Sequence, residues 1–477
     1  MNFAILWPEI ITSGVGVLVL AVGLLAKGET LQRSRAAAWV GVLATVAAAL
    51  AAWNLQGRNL TAFFGGYRLD DLAVFFKIVV LLAAGMTLLF APDFLVRHFV
   101  RPSDFTALVL FGVTGMMLLA SALDFITLYI SLELISLSFY ALIAIQKGEV
   151  RPAEAGLKYL LLSSLASAVM LYGMSLIYGL TGSTYLEAIP KAFGSGQWPL
   201  LAGVGVLFIL AGLGLKVYLV PFHMWAPDVY EGAPVPTVAF LATGSSAATL
   251  AVILRLFEGS FAAAGGVWVP VLLVLAIVTM GVGNLMALPQ TNIKRLLAYS
   301  SIAHAGYILL AVAAGGSSGA AAVMYYTLLY AVSTIAAFAV VSVYSQAAGS
   351  SDIQDLAGLA RRSPFLSFVM LAAFASLAGV PPLAGFMAKF TVFAAAVEAG
   401  LLVPAGLGLV ISVISIYYYF QVIRVMYVSE PRESTPLTFG WGTRVALLLG
   451  LAGILLLGVF PGPALHMAQT AVAAGLF

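Results

Sequence analysis

The chain has 477 residues, of which 62% are hydrophobic and only 9% are Asp, Glu, Lys or Arg, and its formal net charge is +3. Soluble domains carry about 25% charged residues, so a water-facing globular surface is excluded. A mean hydropathy of +1.07 points to a polytopic membrane protein. Cysteine is absent, which excludes disulfides, thiolate-bound iron–sulfur clusters and Cys-X-X-Cys chemistry, and no basic run suggests nucleic acid.

Apolar runs of about 20 residues are long enough to cross the hydrocarbon core as helices. The sequence holds fourteen, and the ten-residue alternation of β-barrel strands is missing. Span 1, at 3–26, lacks a positive n-region and a small-residue cleavage site, so it reads as a span that stays. Spans 2 and 3, at 36–54 and 70–91, complete an N-terminal segment, 1–102. Lys77 lies in span 3 with Asp70 and Asp71 one to two turns earlier, which reads as a structural ion pair.

Spans 4 to 8, at 104–121, 124–146, 153–181, 199–221 and 235–257, form a unit over 103–258. Span 5 places Glu133 near its middle, in Tyr129-Ile-Ser-Leu-Glu133, with no charged neighbour within a turn. Span 6 carries Lys158 about one and a half turns inside, where snorkelling to the membrane face and a functional role both stay open. Span 7 runs Gly212-Leu-Gly-Leu-Lys216 and then meets Pro221, which breaks a helix. His223 follows, with Asp228 and Glu231, and reads as a capping group.

Spans 9 to 13, at 267–288, 296–314, 319–346, 364–397 and 403–428, fill 259–429. His304 falls near the middle of span 10. A satisfied hydrogen-bonding group and a proton relay are equally open readings of it. Span 12 contains Gly379-Val-Pro-Pro-Leu-Ala-Gly385 and then Lys389. Span 14, at 442–461, and the tail close the chain over 430–477.

Spans 7 and 12 are thus interrupted alike, each with one lysine near its break, and they stand five spans apart. Paired Gly/Pro interruptions at corresponding positions point to an inverted-repeat transporter, here with spans 4–8 and 9–13 as the two units. Odd-numbered connections carry fourteen Lys or Arg, from Lys27 to Arg444. Even-numbered ones carry only Arg58, Arg68, Lys191 and Arg255, so the positive-inside rule places both termini on the outer face of the cell membrane.

A charge at the bilayer centre costs about 2.5–3.5 kcal/mol on insertion scales. Glu133 is therefore either a protonated carboxyl bonded to Ser131 or Ser136, or one half of an ion pair that opens to load a proton. Lys216 is its natural partner, because the carbonyl end of a half-helix favours a cation. Lys389 follows its break, where the positive end of the second half-helix disfavours the ammonium and suits proton release. No dinucleotide fingerprint or Walker lysine is visible.

Ser131-Leu-Glu133-Leu-Ile-Ser-Leu-Ser-Phe-Tyr140, the run from Pro221 to Pro234 and the run from Asn292 to His304 resemble the subunit N family of bacterial proton-translocating NADH–quinone oxidoreductase. That family is one of the antiporter-like subunit families of respiratory complex I. Leu6-Trp-Pro-Glu9 and Ala378-Gly-Val-Pro-Pro-Leu-Ala-Gly-Phe386 fit as well, so the likeness covers nearly the whole chain. The resemblance implies an all-α fold of fourteen helices, with helices 4–8 and 9–13 as inverted units. It implies that Glu133 pairs with Lys216, and that Lys389 stands at the proton exit. It also implies that this chain binds no cofactor, while the complex uses NADH and quinone. Its partners would be the other membrane-arm and peripheral-arm subunits and the lipid bilayer.

One position departs from the pattern. The family usually carries a helix 8 lysine in a Gly-Ser-Lys-Ala context, and this chain has Ser246 there. His304 and water ordered by Ser245 and Ser246 are the expected substitute. Two other readings are a subunit of a multisubunit cation–proton antiporter and a membrane subunit of a related hydrogenase or ferredoxin-driven complex. The Met-Trp-Ala-Pro-Asp-Val-Tyr segment of span 7 argues against the antiporter, whose relatives usually show His-X-Trp-Leu-Pro-X-Ala-His.

Overall fold

The computed structural model describes residues 3–25, 31–98, 100–193, 198–431 and 437–473. Lys27, Arg432 and the side chain of Arg33, counted above for orientation, lie outside the described residues. Twelve described helices are long and apolar enough to cross a membrane, and the chain is a multi-pass helical membrane protein. These helices fall on every expected span except the seventh and twelfth. There two shorter apolar helices stand instead, Leu200–Lys216 and Pro364–Ala378.

Polar residues at the apolar boundaries start several helices. Asp70 accepts from the amide of Ala73, Asp124 from those of Ile126 and Thr127, and Asn292 from those of Lys294 and Arg295. Each satisfies orphan donors of a first turn. Gly379 ends Pro364–Ala378 with a left-handed φ of 90°, a conformation that residues with a Cβ rarely adopt.

Asp71–Arg97, Val235–Ser260, Ile293–Ala314 and Gly316–Ala348 are almost wholly buried and form the centre of the bundle. Val150–Thr181, Ala262–Ala287 and Leu402–Val428 lie outside them and turn residues such as Leu161, Val274 and Val410 outward. Small residues let helices approach closely. A Cβ on Gly283 or Gly306 would overlap the backbone of the neighbouring helix across the contact between Ala262–Ala287 and Ile293–Ala314.

Span 7 continues past its break as a second piece, Trp225–Gly232, eleven residues beyond the expected end. Span 12 resumes at Ala384–Glu398. The first half of span 7, at seventeen residues, rises only about 25 Å, short of a hydrocarbon core of roughly 30 Å. A cis X–Pro bond lies in each break, at Val220–Pro221 and Pro381–Pro382. Val235–Ser260 contains two π-helical stretches, Leu241–Ser245 and Leu254–Ser260, and the first ends directly before Ser246.

Two expectations, on Lys77 and Arg255, are corrected at the even-numbered end. A small antiparallel hairpin, Leu60–Ala62 with Tyr67–Leu69, interrupts the helical pattern between spans 2 and 3. Lys77 is fully buried and pairs with Glu9 of span 1 at 2.7 Å, not with Asp70 or Asp71. Asp70 is engaged elsewhere: Arg255 donates to both its oxygens, at 2.7 and 2.9 Å, and to the carbonyl of Ala120. Arg255 therefore sits within the last turns of span 8, fully buried, and not on a connection.

Candidate functional site

Lys216 is the last residue of the half-helix Leu200–Lys216. Gly212 makes this placement possible, because a Cβ there would meet Met170 and the carbonyl of Ala166 on span 6. The ammonium is buried and donates to Ser136 of span 5 at 2.8 Å and to Ser163 of span 6 at 2.5 Å. It also lies 5.7 Å from the centre of the Tyr159 ring. Ser136 gives its own hydrogen to the Leu132 carbonyl, which leaves its lone pairs for the lysine.

Glu133 is half-buried, and its Oε1 is buried without a hydrogen-bond partner. It is near enough to act on the charge of Lys216, yet the two form no ion pair. The expected direct pair is replaced by the two serines, one of which lies a turn beyond Glu133 on the same helix. Neither Ser131 nor Ser136 donates to the carboxylate; both bond backbone carbonyls of their own helix.

Lys389 reaches back across its break. Its ammonium donates to the carbonyl of Ala378 at 2.8 Å and to Ser415 at 3.4 Å, and stands 5.2 Å from the centre of the Tyr307 ring. Ala378 is the last residue of the first half-helix. The expectation that the second half-helix governs this lysine is corrected accordingly. It is held at a negative helix end, where a free carbonyl accepts, whereas Lys216 bonds two serines.

His304 lies in the buried centre. Its Nδ1 is 2.6 Å from the Tyr326 hydroxyl and its Nε2 is 3.4 Å from that of Tyr419, which in turn bonds Ser300. Between His304 and span 7 stands a set of hydroxyls from Ser246, Tyr218, Tyr230, Ser301 and Tyr330. Only Ser246 among these was singled out from the sequence. The available signal was tyrosine at mid-span positions, where a phenol must find a partner.

Lys158 is elsewhere. Its side chain is 42% exposed and bonds Glu154 and Asp228, both at 2.8 Å. Arg295 joins Asp228 at 2.8 Å and Glu231 at 2.9 Å. The motif around Asp228 and the motif around Arg295 thus meet in one ion network at the end of the bundle. His223 does not cap the second half of span 7 with its ring; its backbone carbonyl accepts from Ala226. Among the described residues no three His, Asp or Glu side chains converge to hold a metal ion.

A family model described as NADH:quinone oxidoreductase/Mrp antiporter, TM, matches residues 122–415. NADH-quinone oxidoreductase subunit N of Desulforamulus reducens is 42% identical over 471 residues, 98% of each chain. The chain belongs to the NADH-quinone oxidoreductase subunit N family. A chain of respiratory complex I from Thermus thermophilus is 35% identical with a TM-score of 0.80, covering 96% of this chain and 98% of that one. A chain of the Mrp complex from a Dietzia species is 23% identical with a TM-score of 0.85, over 99% and 97% of the two chains, and shares the fold.

Proposed function

We propose that this chain is an antiporter-like, proton-translocating subunit in the membrane arm of an NADH–quinone oxidoreductase. Quinone is reduced in partner subunits, and the chain's own residues handle protons. The observation that carries this reading is the pair of lysines buried at two helix breaks: Lys216, the last residue of one half-helix, held by two serines, and Lys389, bonded to the last carbonyl of another. A charge held so deep is costly. Its environment is polar enough to keep a proton and has only serines and carbonyls to hold it, so a change in nearby charge shifts the balance.

Glu133 is the group that makes this change. It faces the edge of the bundle, where movement in a neighbouring subunit reaches it, and it acts on Lys216 through space. When the carboxylate closes on Lys216 the ammonium is stabilised; when it withdraws, the lysine releases its proton toward His304. His304 passes it on, and Lys389 delivers it to the far side. Ser246 borders this route, and Lys158 keeps its entrance in shape through the Asp228–Arg295 network. The units 103–258 and 259–429 form the two inverted halves, with 1–102 and 430–477 packed against them. Both termini face the outer side of the plasma membrane. The family's NADH and quinone belong to other subunits of the complex.

The test is Glu133→Ala in the intact complex. Assembly is expected to be normal on a native gel, and the number of protons moved per electron is expected to fall. Normal assembly with an undiminished ratio would overturn the assigned role.

A further inference from the structure

Ser246 of span 8 has no titratable group to pass a proton from span 7 to span 10. We infer that a chain of hydroxyls does this work, running from Ser246 through Tyr218, Tyr230 and Ser301 to Tyr330. This inference rests on the proton-translocation reading above and names the residues that carry its central step.

The geometry is continuous from Ser246 to Tyr330. Ser246 Oγ lies 3.3 Å from the Tyr218 hydroxyl, which lies 3.1 Å from that of Tyr230. Tyr230 lies 3.3 Å from Ser301 Oγ, and Tyr330 lies 2.7 Å from the same oxygen. The five come from five separate places in the fold. Tyr218 is in the break of span 7, Tyr230 on its second half and Ser246 directly after a π-helical turn. Ser301 and Tyr330 belong to spans 10 and 11. All five are buried. Tyr218 has a left-handed φ of 61°, an uncommon conformation for a bulky residue, and it supplies the hydroxyl shared by Ser246 and Tyr230.

A small cavity of about 20 Å³ is bordered by Tyr218, Ser246, Ser301, His304 and Tyr330. That volume admits about one water and no continuous file of them. Val217, Leu250, Ile308 and Leu309 supply much of the wall, which disfavours standing water. From Ser246 to Tyr330 the hydroxyls must therefore pass the proton by direct contact. Only the last gap, from Tyr330 to His304, whose ring centres stand 5.3 Å apart, takes a water, and the cavity has room for one that enters transiently.

Each hydroxyl both donates and accepts. A proton that reaches the first oxygen forms a new O–H bond there as that oxygen's own hydrogen leaves for the next. One O–H bond forms and one breaks at every link. One proton enters, one leaves to His304, and no tyrosinate remains; rotation of the hydroxyls then restores the starting order. Ser301 gives its hydrogen to the Leu297 carbonyl at rest and accepts from both tyrosines, so its rotation sets the chain in motion.

Tyr218→Phe, Tyr330→Phe and Ser301→Ala remove only oxygen atoms, and Ser301→Thr keeps the hydroxyl. The intact complex carrying each is reconstituted into vesicles, with Lys216→Met as reference, and protons moved per electron are measured, together with the pumping rate in H₂O and D₂O. The first three are expected to fall to the level of Lys216→Met, Ser301→Thr to stay near the parent, and the parent to show a solvent isotope effect. Full ratios for Tyr218→Phe and Ser301→Ala beside a failing Lys216→Met would overturn the hydroxyl chain and leave the function standing. A full ratio for Lys216→Met would overturn both.

Discussion

The buried pair of Glu9 and Lys77 offers a perturbation of the fold that leaves the candidate path untouched. The two charges are 2.7 Å apart, and the Tyr67 hydroxyl bridges them, donating to Glu9 at 3.0 Å and accepting from Lys77 at 2.6 Å. At that separation, with an effective dielectric constant near 20, the attraction is about 6 kcal/mol. Withdrawing each ion from water costs several kcal/mol in turn, and Glu9 Oε2 finds no partner at all. The pair as a whole is therefore close to break-even, whereas loss of one member is not. Lys77→Met leaves a buried carboxylate with a single phenol for company, and we expect it to destabilise the chain by about 3–5 kcal/mol. Adding Glu9→Leu removes the stranded charge and recovers most of the loss. The assay is graded heating of the solubilised complex, with the retained fraction of this chain compared across a double-mutant cycle. If Lys77→Met melts with the parent, or the double variant is as weak as the two singles summed, the reasoning about this pair is wrong.

Two further changes test the geometry around the path. A Cβ on Gly385 would overlap the carbonyl oxygen of Ser376 and push apart the two halves of span 12, so Gly385→Ala is expected to reduce the amount of assembled complex on a native gel. Gly406→Ala, with nothing within 4 Å of its new Cβ, is the silent control. Lys158→Met removes a half-exposed ion pair, and exposed pairs contribute little and are screened by salt. The thermal midpoint of the complex is expected to move barely, and raised salt should erase the difference.

The spans were legible because an apolar run of 20 residues has few other uses, and the two breaks because Gly and Pro at mid-span have few other causes. Lys216 and Lys389 could be singled out for the same reason: an ammonium deep in an apolar run stands out alone. Their partners could not. Asp70 sits seven residues before Lys77 and looked like its mate, but Asp70 caps its own helix and binds Arg255 from span 8, 185 residues away. Glu9, the true partner, belongs to span 1 and carries no local sign of the contact. The hydroxyls of Tyr218, Tyr230 and Tyr330 stayed hidden for a related reason: one tyrosine in a span reads as bulk until the fold shows which oxygens meet. The length of span 7 was misjudged because Pro221 marks the break but not the resumption at Trp225.

The most direct measurement is the proton-to-electron ratio of the intact complex in sealed vesicles when Lys216→Met and Lys389→Met are introduced, singly and together. If protons cross through these two buried amines in series, each single change removes this chain's whole share, and the double variant falls no further. A double variant that assembles and pumps at the parental ratio would contradict the account.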